Sequence, residues 1–181
     1  RDIWPLSLVE ILGLSRYNPL VLWMDYIERT AYHYADAVVS LLPNAFEHMQ
    51  SRGLSADRFT YITNGISIEE LELPSSPLPA EHQIVFDKVK KTGKLTIVYA
   101  GSHGPVNALD QIFALKKIYP KSDPPYHFIL IGDGVSKDSL IKRAEKENVS
   151  FVTFLPKIAK RQVATALKQA DVLFICGKNH S

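Results

Sequence analysis

Short apolar runs alternate along this chain with longer amphipathic stretches. Apolar, β-branched runs bounded by turn residues are typical of strands that are buried on both faces of a sheet. They predict strands at residues 37–41, 59–62, 97–99, 126–131, 151–154 and 172–175. Apolar residues at helical spacing predict helices at residues 6–13, 19–35, 44–50, 81–91, 109–118, 137–147 and 160–169. The alternation predicts an α/β fold, a Rossmann-like parallel sheet flanked by helices.

The stretch from Thr96 to Ile118 has the order strand, glycine turn, helix. Such a turn directs backbone N–H groups and the positive end of a helix toward an anion. Ligands of parallel sheets bind beyond the carboxyl ends of the strands. These ends are predicted at residues 101–107, 132–134, 155–158 and 176–178. The stretch therefore indicates a phosphate site, although every doubly wound domain contains a turn of this kind.

The net charge of +2 excludes a strong overall attraction to nucleic acid. Residues 1–60 carry 5 basic and 7 acidic side chains, whereas residues 61–181 carry 16 and 12. A basic excess beside the glycine turn fits a phosphate ligand, and solvated lysines on amphipathic helices explain it equally well. The single cysteine, Cys176, excludes an internal disulfide and a cysteine-rich zinc site, and it indicates a reducing compartment.

Residues 3–27 are the most apolar part of the chain. Polar residues interrupt them, so no uninterrupted apolar stretch is long enough to span a bilayer. If exposed, the apolar side chains here would rest on a membrane surface or pack against another part of a longer protein. They are Trp4, Leu8, Ile11, Leu12 and Trp23. The chain begins without methionine and stops just after an apolar run, so we expect it to be a fragment.

Residues 73–80, with the sequence LPSSPLPA, are rich in proline and serine. Such a segment behaves as a stiff, extended connector. We therefore expect two domains, at residues 1–72 and 81–181, joined by a linker at residues 73–80. The sequence contains no internal repeat and no low-complexity tract that would divide it further.

The glycine turn at residues 101–104 is not a dinucleotide-binding motif, because the third glycine and the ribose-binding acid are missing. The sequence also contains no Walker motif, no HExxH, no GxSxG and no Asp-x-Asp pair. The histidines show no ligand-like spacing, so we expect no metal site. The turn offers backbone N–H groups, the Ser102 hydroxyl, the His103 ring and the Asn107 amide.

Two side chains near the predicted strand ends have both a functional and an ordinary interpretation. His103 would hydrogen-bond a phosphate or donate a proton, or it is simply a turn residue. Lys157 would offer a positive charge to a phosphate, or it belongs to the basic start of the helix predicted at residues 160–169. The sequence leaves both interpretations open.

Seven short segments follow one another along the chain. They are Arg1-Asp2-Ile3-Trp4-Pro5, Glu28 with Tyr34-Ala35-Asp36-Ala37-Val38-Val39, Ile62-Thr63-Asn64-Gly65-Ile66, Tyr99-Ala100-Gly101 with Leu109-Asp110, Ile131-Gly132-Asp133-Gly134, Phe154-Leu155-Pro156-Lys157, and Ala170-Asp171-Val172. In this order they resemble the elements of GT-B sugar-nucleotide glycosyltransferases of glycosyltransferase family 4 (group 1). The resemblance runs the length of the chain and is greatest to the bacterial amino-sugar transferases of capsule and O-antigen synthesis.

That resemblance implies a two-domain enzyme with a cleft between Rossmann-like halves. Residues 1–72 would end the acceptor-side domain, and residues 81–181 would form an incomplete nucleotide-sugar-binding domain. The enzyme would transfer a sugar from a nucleotide-sugar, usually UDP-linked, to a glycan or lipid-linked acceptor with retention of configuration. It would need no metal ion or other cofactor and bind no nucleic acid. It would be cytoplasmic and serve polysaccharide biosynthesis, with peripheral contact at the inner face of a membrane as an open alternative.

The resemblance also implies where the donor binds. The pyrophosphate would lie over the glycine turn, and the nucleobase near residues 154–157, largely through main-chain groups. The implied donor-binding residues are Gly101, Ser102, His103, Asn107, Gly132, Phe154, Leu155 and Lys157. Asn64 and Gly65 would border the cleft at the hinge, where domain closure excludes water. The resemblance assigns no catalytic residue within this chain.

Three departures from the family pattern limit what the resemblance implies. Many relatives place an arginine and a lysine in the glycine loop where this chain has Ser102 and Asn107. The diphosphate charge must then be neutralised elsewhere, by Lys157 or by a residue beyond the end of the chain. Pro156 stands where a glycine is common in the family, and this resembles the amino-sugar subgroup. The family's Glu-x7-Glu element, which engages the donor sugar and ribose, should lie downstream of Ile175, and this chain ends before it. We therefore expect this fragment to bind a nucleotide weakly and not to turn over.

Two other functions stay open at this point. A sugar-nucleotide 2-epimerase uses the same GT-B architecture, but it should carry acid/base residues in both halves. A non-catalytic α/β binding module would contain the same glycine turns as purely structural elements, since fold alone does not decide function. Nucleotide preference separates such a module from the two enzymes.

Overall fold

The protein is described here by a computed structural model that covers residues 4–10, 12–65, 76–119 and 123–178. The chain forms two compact units: residues 4–65 belong to the first and residues 76–178 to the second. The predicted domain boundary at residues 72 and 73 lies outside the described residues, as do the first three residues of the chain. The assignment of the two units to two enzyme domains therefore stays a prediction.

The first unit contains a short parallel sheet with helices around it. Its elements are α1 (Leu6–Glu10), α2 (Pro19–Tyr34), β1 (Val38–Ser40), α3 (Ala45–Ser51), a 3₁₀ turn (Ala56–Arg58) and β2 (Phe59–Tyr61). Strands β1 and β2 pair in parallel. The Asn18 side chain caps α2 by accepting from the Leu20 N–H, and Pro19 occupies the first helical position, where no N–H is needed. Helix α1 ends at Glu10 rather than at residue 13, where Gly13 has a φ of +69°.

Arg58 connects the end of α2 to the start of β2. Its Nη1 donates to the carbonyl oxygens of His33 and Ala35, at 2.9 Å each, and its Nε donates to the Ser55 hydroxyl at 2.7 Å. The last carbonyl groups of a helix have no partner within the helix. This one guanidinium therefore completes the end of α2 and ties it to the neighbouring strand.

The second unit is a four-stranded parallel sheet with helical elements on both faces. Its elements are α4 (Ala80–Lys91), β3 (Leu95–Ala100), two 3₁₀ segments (Pro105–Asn107 and Leu109–Lys117), β4 (Tyr126–Ile131), α5 (Lys137–Lys146), β5 (Val152–Leu155), α6 (Lys160–Leu167) and β6 (Val172–Leu173). The strand order is β5-β4-β3-β6, and every pairing is parallel. The predicted α/β fold with a parallel sheet is therefore confirmed.

Alternate residues of the central strands point to opposite faces of this sheet. In β4, Phe128 and Leu130 pack against the long 3₁₀ segment and α5, whereas Ile129 and Ile131 pack against α4 and α6. All four side chains are at most 3% exposed. A strand segment buried on both faces has no polar side, which is why residues 128–131 of β4 are all apolar.

Residues 109–117 form a 3₁₀ helix and not the predicted α-helix. The segment is preceded by Ala108 in a left-handed conformation, with a φ of +45°. Leu109, Ile112 and Leu115 repeat every third position and contribute to one core cluster, and that spacing suits a 3₁₀ helix as well as an α-helix. The prediction was wrong because the apolar pattern does not separate the two. The first glycine turn is therefore followed by a 3₁₀ helix and not by the N-terminus of an α-helix that would attract an anion.

Candidate functional site

The carboxyl ends of the three neighbouring strands β3, β4 and β5 meet at one edge of the sheet. The N–H of Gly101 donates to the Ile131 carbonyl oxygen at 3.0 Å, and the N–H of Gly132 donates to the Leu155 carbonyl oxygen at 3.2 Å. The parallel ladder thus continues past the strands into the two glycine turns. Three of the predicted donor-binding residues, Gly101, Gly132 and Leu155, are brought together in this way.

The two glycine turns interlock through their main chains. The N–H of His103 donates to the Asp133 carbonyl oxygen at 2.8 Å, and the His103 carbonyl oxygen accepts from the Ser136 N–H at 3.0 Å. Both backbone groups of His103 are therefore used inside the protein. The first turn is held by the second one on both sides of this residue.

Only glycine fits at the two contact points between the turns. A Cβ on Gly132 would lie 1.9 Å from the Gly101 carbonyl oxygen, and a Cβ on Gly134 would lie 2.7 Å from the His103 carbonyl oxygen. Both residues also have a φ above +150°, a conformation that side chains disfavour. The glycine-aspartate-glycine sequence is therefore required by close backbone packing.

The first turn is closed around the carbonyl oxygen of Ser102. This oxygen accepts from the Tyr99 hydroxyl and from the Asn107 side-chain amide, at 2.7 Å each. The Cys176 thiol in turn donates to the Asn107 carbonyl oxygen. Burial raises the pKa of both Tyr99 and Cys176, so both keep their protons at neutral pH. Asn107 therefore shapes the turn, while Gly101 and Ser102 are exposed at its surface.

The ring of His103 lies in the interior and not at the surface of the turn. Its exposed fraction is 0%, and it sits between the rings of Tyr99 and Phe154, with centroids 6.0 and 6.1 Å away. Neither ring nitrogen has a hydrogen-bond partner among the described residues. Burial and then the Lys137 ammonium lower the pKa of His103, while the Asp133 carboxylate opposes this change. The ring of His103 and its engaged backbone groups therefore pack the turn, and its contact with a phosphate stays a prediction.

Lys137 lies at the same edge, and the sequence reasoning missed it. Its Nζ donates to the carbonyl oxygens of Gly132 and Leu155, at 2.8 and 3.0 Å, from a half-buried position. Lys137 is also the first residue of α5, where the helix dipole disfavours a positive charge. A lysine in the first helical position, three residues after Gly134, was the signal that could have identified it.

The segment after β5 provides the remaining predicted residues. Leu155 is buried, Phe154 is half-buried against His103, and Lys157 is exposed. The buried His82 of α4 donates from Nε2 to the Pro156 carbonyl oxygen at 2.9 Å, a contact between residues far apart in sequence. Phe154 and Leu155 are therefore fixed parts of the edge, whereas Lys157 points its charge into solvent.

Residues 81–179 match the protein family described as glycosyl transferases group 1, and this range is more than half of the chain. The chain belongs to the glycosyl transferases group 1 family. No curated protein matches the sequence. The family resemblance stated from the short segments is thereby confirmed.

Several solved structures have the same fold as this chain. HepE from Anabaena, in complex with UDP and glucose, has a TM-score of 0.62 and 14% identity over 92% of this chain. WaaG, a glycosyltransferase involved in lipopolysaccharide biosynthesis, has a TM-score of 0.64 and 16% identity over 97%. TarM from S. aureus, in complex with Fondaparinux, alpha-GlcNAc-glycerol and UDP, has a TM-score of 0.59 and 13% identity over 89%. The group 1 glycosyltransferase chain therefore has the GT-B type of α/β fold.

The matched part of each relative is less than half of that relative. The chain covers 43% of HepE, 48% of WaaG and 29% of TarM. The activity, substrates and partners of a whole group 1 glycosyltransferase are therefore taken up as proposals.

Asn64 and Gly65 belong to the first unit of this group 1 glycosyltransferase. Both residues are exposed and follow β2, whose continuation is fixed by a 3.0 Å hydrogen bond from the Ile62 N–H to the Ser40 carbonyl oxygen. Residues 66–75, which follow them, lie outside the described part of the chain. Their role at a hinge stays a prediction.

Two further findings concern metal ions and membranes. Within residues 4–10, 12–65, 76–119 and 123–178, no three His, Cys, Asp or Glu side chains are grouped so that they could hold a metal ion. Among the helices of the same residues, none combines the length and the apolar character needed to cross a bilayer.

Proposed function

We propose that this chain carries part of the donor site of a retaining glycosyltransferase that moves a sugar from a UDP-sugar to a glycan or lipid-linked acceptor. The match of residues 81–179 to glycosyl transferases group 1 carries the proposal. Complexes of HepE with UDP and with UDP-glucose support UDP as the nucleotide. The part of WaaG in lipopolysaccharide biosynthesis, and the glycan-related ligands of TarM, support the acceptor class.

In the proposed reaction, the bond between C1 of the donor sugar and a diphosphate oxygen breaks, and C1 bonds to an acceptor hydroxyl oxygen. Negative charge develops on the diphosphate oxygen of the departing UDP, and this oxygen takes up the proton that the acceptor hydroxyl loses. Groups that stabilise this charge lower the barrier. The exposed turn at Gly101 and Ser102 gives a diphosphate close access to main-chain groups, because glycine carries no side chain and Ser102 adds only a small hydroxyl.

The test is calorimetric titration of the full chain with UDP, GDP, ADP and NAD. We expect UDP to bind most tightly, and Ser102→Trp to abolish binding by filling the space above the turn. Ser150→Trp is the matched control, because Ser150 is exposed at the opposite, amino end of β5. Equal affinity for all four ligands, or full UDP binding by Ser102→Trp, would overturn the proposed site. EDTA is expected to leave the UDP affinity unchanged, since we propose a reaction without a metal ion.

The alternative functions predict different outcomes. A non-catalytic module would show no nucleotide preference in the titration. A sugar-nucleotide 2-epimerase would bind UDP but convert the UDP-sugar without an acceptor, so analysis of the products made by the full-length protein separates it from a transferase. The configuration at C1 of a transfer product, read by NMR, tests retention.

We also propose a cytoplasmic enzyme in peripheral contact with the inner face of a membrane. Exposed apolar side chains of the first unit support it: Leu12 is 65% exposed and Trp23 is 62% exposed. Co-sedimentation with anionic lipid vesicles is expected for the full chain and is expected to weaken in Trp23→Ala. If the full chain does not sediment with vesicles, these side chains pack against protein instead, and the membrane proposal is rejected.

A further inference from the structure

A lysine joins two strand ends at the edge where the nucleotide is proposed to bind. The Nζ of Lys137 donates to the carbonyl oxygen of Gly132, just after β4, and to that of Leu155, at the end of β5. The Leu155 oxygen also accepts from the Gly132 N–H. Two neighbouring carbonyl groups therefore share one ammonium group.

The position of this lysine is unfavourable for the helix that carries it. Lys137 is the first residue of α5, where the helix dipole has its positive end. Hydrogen bonds from a charged donor are stronger than neutral ones, and two of them hold Lys137 in place. Lys142, on the same helix, is exposed and makes no comparable contact among the described residues. The two carbonyl contacts therefore distinguish Lys137 from an ordinary surface lysine of α5.

The charge of Lys137 reaches the first glycine turn. Together with burial, the Lys137 ammonium lowers the pKa of His103, whose backbone lies inside that turn. A bound diphosphate needs positive charge nearby, but the turn itself offers the uncharged residues Ser102 and Asn107. Carbonyl oxygens at the ends of parallel strands carry partial negative charge, which repels an approaching diphosphate. An ammonium group bonded to two of these oxygens offsets that repulsion.

We propose that Lys137 is a positioning residue for the diphosphate of the donor: it fixes the strand-end carbonyl groups of Gly132 and Leu155 and offsets their negative charge. This inference rests on the proposed function, because it assumes that a nucleotide diphosphate binds at this edge. It replaces Lys157, which is exposed, as the source of the missing counter-charge.

The first experiment compares UDP, UMP and uridine by calorimetric titration of the full chain. We expect Lys137→Met to weaken UDP binding by about tenfold, equivalent to about 1.4 kcal/mol, to weaken UMP binding less, and to change uridine binding least. Lys137→Arg retains the charge and is expected to recover most of the affinity. Lys142→Met removes the same charge from an exposed site of α5 and is expected to change nothing. A purely structural role would weaken all three ligands by the same factor and would overturn the inference.

The second experiment needs no ligand. The imidazole of His103 is titrated by NMR in the full chain, and we expect its pKa to rise in Lys137→Met, because a nearby positive charge is lost. Lys137→Gln serves if the methionine variant does not fold, since glutamine removes the charge but keeps an N–H donor. Lys142→Met should leave the His103 titration unchanged.

The two experiments separate the possible failures. If wild-type protein binds UDP and Lys137→Met binds it equally well, the Lys137 inference is overturned while the proposed function stands. If Lys157→Met weakens UDP binding and Lys137→Met does not, Lys157 is the counter-charge and the inference is again overturned. If wild-type protein binds no nucleotide, the proposed function fails for this chain. A His103 titration that moves in Lys137→Met then supports the electrostatic link to the turn, and one that does not move overturns it.

Discussion

Replacing Gly132 by alanine is the most direct test of the interlocked turns. The new Cβ would lie 1.9 Å from the Gly101 carbonyl oxygen and 3.3 Å from His103 Nε2. Non-bonded carbon and oxygen atoms keep at least about 3 Å apart, so the two turns must separate by about 1 Å. That movement stretches the 3.0 Å hydrogen bond from the Gly101 N–H to the Ile131 carbonyl oxygen. The substitution therefore strains the ladder as well as the turn.

The expected size of the effect follows from two contributions. Overpacking in a tight interior costs about 1–3 kcal/mol. A side chain in a glycine-only backbone region, here with a φ of +151°, costs about another 1–3 kcal/mol. We therefore expect Gly132→Ala to lower the free energy of unfolding of the second unit by about 4 kcal/mol, a large part of a typical domain stability of about 5–15 kcal/mol.

The measurement must report on the second unit alone. Both tryptophans, Trp4 and Trp23, belong to the first unit, so tryptophan fluorescence does not follow β3 and β4. Amide hydrogen exchange of residues 126–131, resolved by mass spectrometry, reports the local opening free energy there. Gly104→Ala is the control, because its Cβ would be no closer than 3.5 Å to another group and its φ is −92°. Exchange in Gly132→Ala as slow as in wild type would refute the close contact between the turns.

Three further outcomes are expected. Burial lowers the pKa of His127 to about 4. Between pH 6.5 and 4 the unfolded chain therefore binds a proton that the folded chain does not, and the free energy of unfolding falls as the pH drops through this window. Urea titrations should show a fall of up to about 3 kcal/mol, which His127→Gln should reduce. His103→Leu removes two buried ring nitrogens that have no hydrogen-bond partner among the described residues. Hydrogen exchange should show a second unit that is as stable as in wild type or more stable by about 1 kcal/mol. Arg58→Met should lower the stability of the first unit by about 1–2 kcal/mol in tryptophan fluorescence, whereas Arg16→Met, at an exposed site, should not.

The fold could be predicted where the apolar pattern allowed a single geometry. Strand β4 was predicted at its observed residues, 126–131, because a short, mainly apolar segment between Pro125 and Gly132 is typical of a buried strand and too short for most helices. The segment 109–117 could not be assigned, since apolar residues at every third position suit both kinds of helix. Strand β6 was predicted to residue 175 but ends at Leu173. The pairing stops at Leu173 although β3 continues to Ala100, and an apolar run does not show where such a ladder ends.

The candidate site could be predicted through its glycines but not through its charges. The turns at Gly101 and Gly132 follow from the residues themselves, because glycine after an apolar run indicates a tight turn at a strand end. Polar turn residues such as His103 are usually exposed, yet tertiary packing buries this one. The contacts of Lys137 with Leu155 and of His82 with Pro156 join residues 18 and 74 positions apart. Such pairings depend on strand order, which no local pattern contains.

The hydrogen bonds between the two glycine turns also restrict how this protein can change in length. Surface turns usually accept inserted residues, and chains of one fold commonly differ there. Here the N–H and the carbonyl oxygen of His103 both pair with residues of the second turn. An insertion in either turn would shift one register against the other, so a viable variant must lengthen or shorten both together. Loop grafts and affinity tags are therefore better placed at the Thr92–Gly93 turn, where a Cβ on Gly93 would meet no atom of another described residue within 4 Å, its chain neighbours aside.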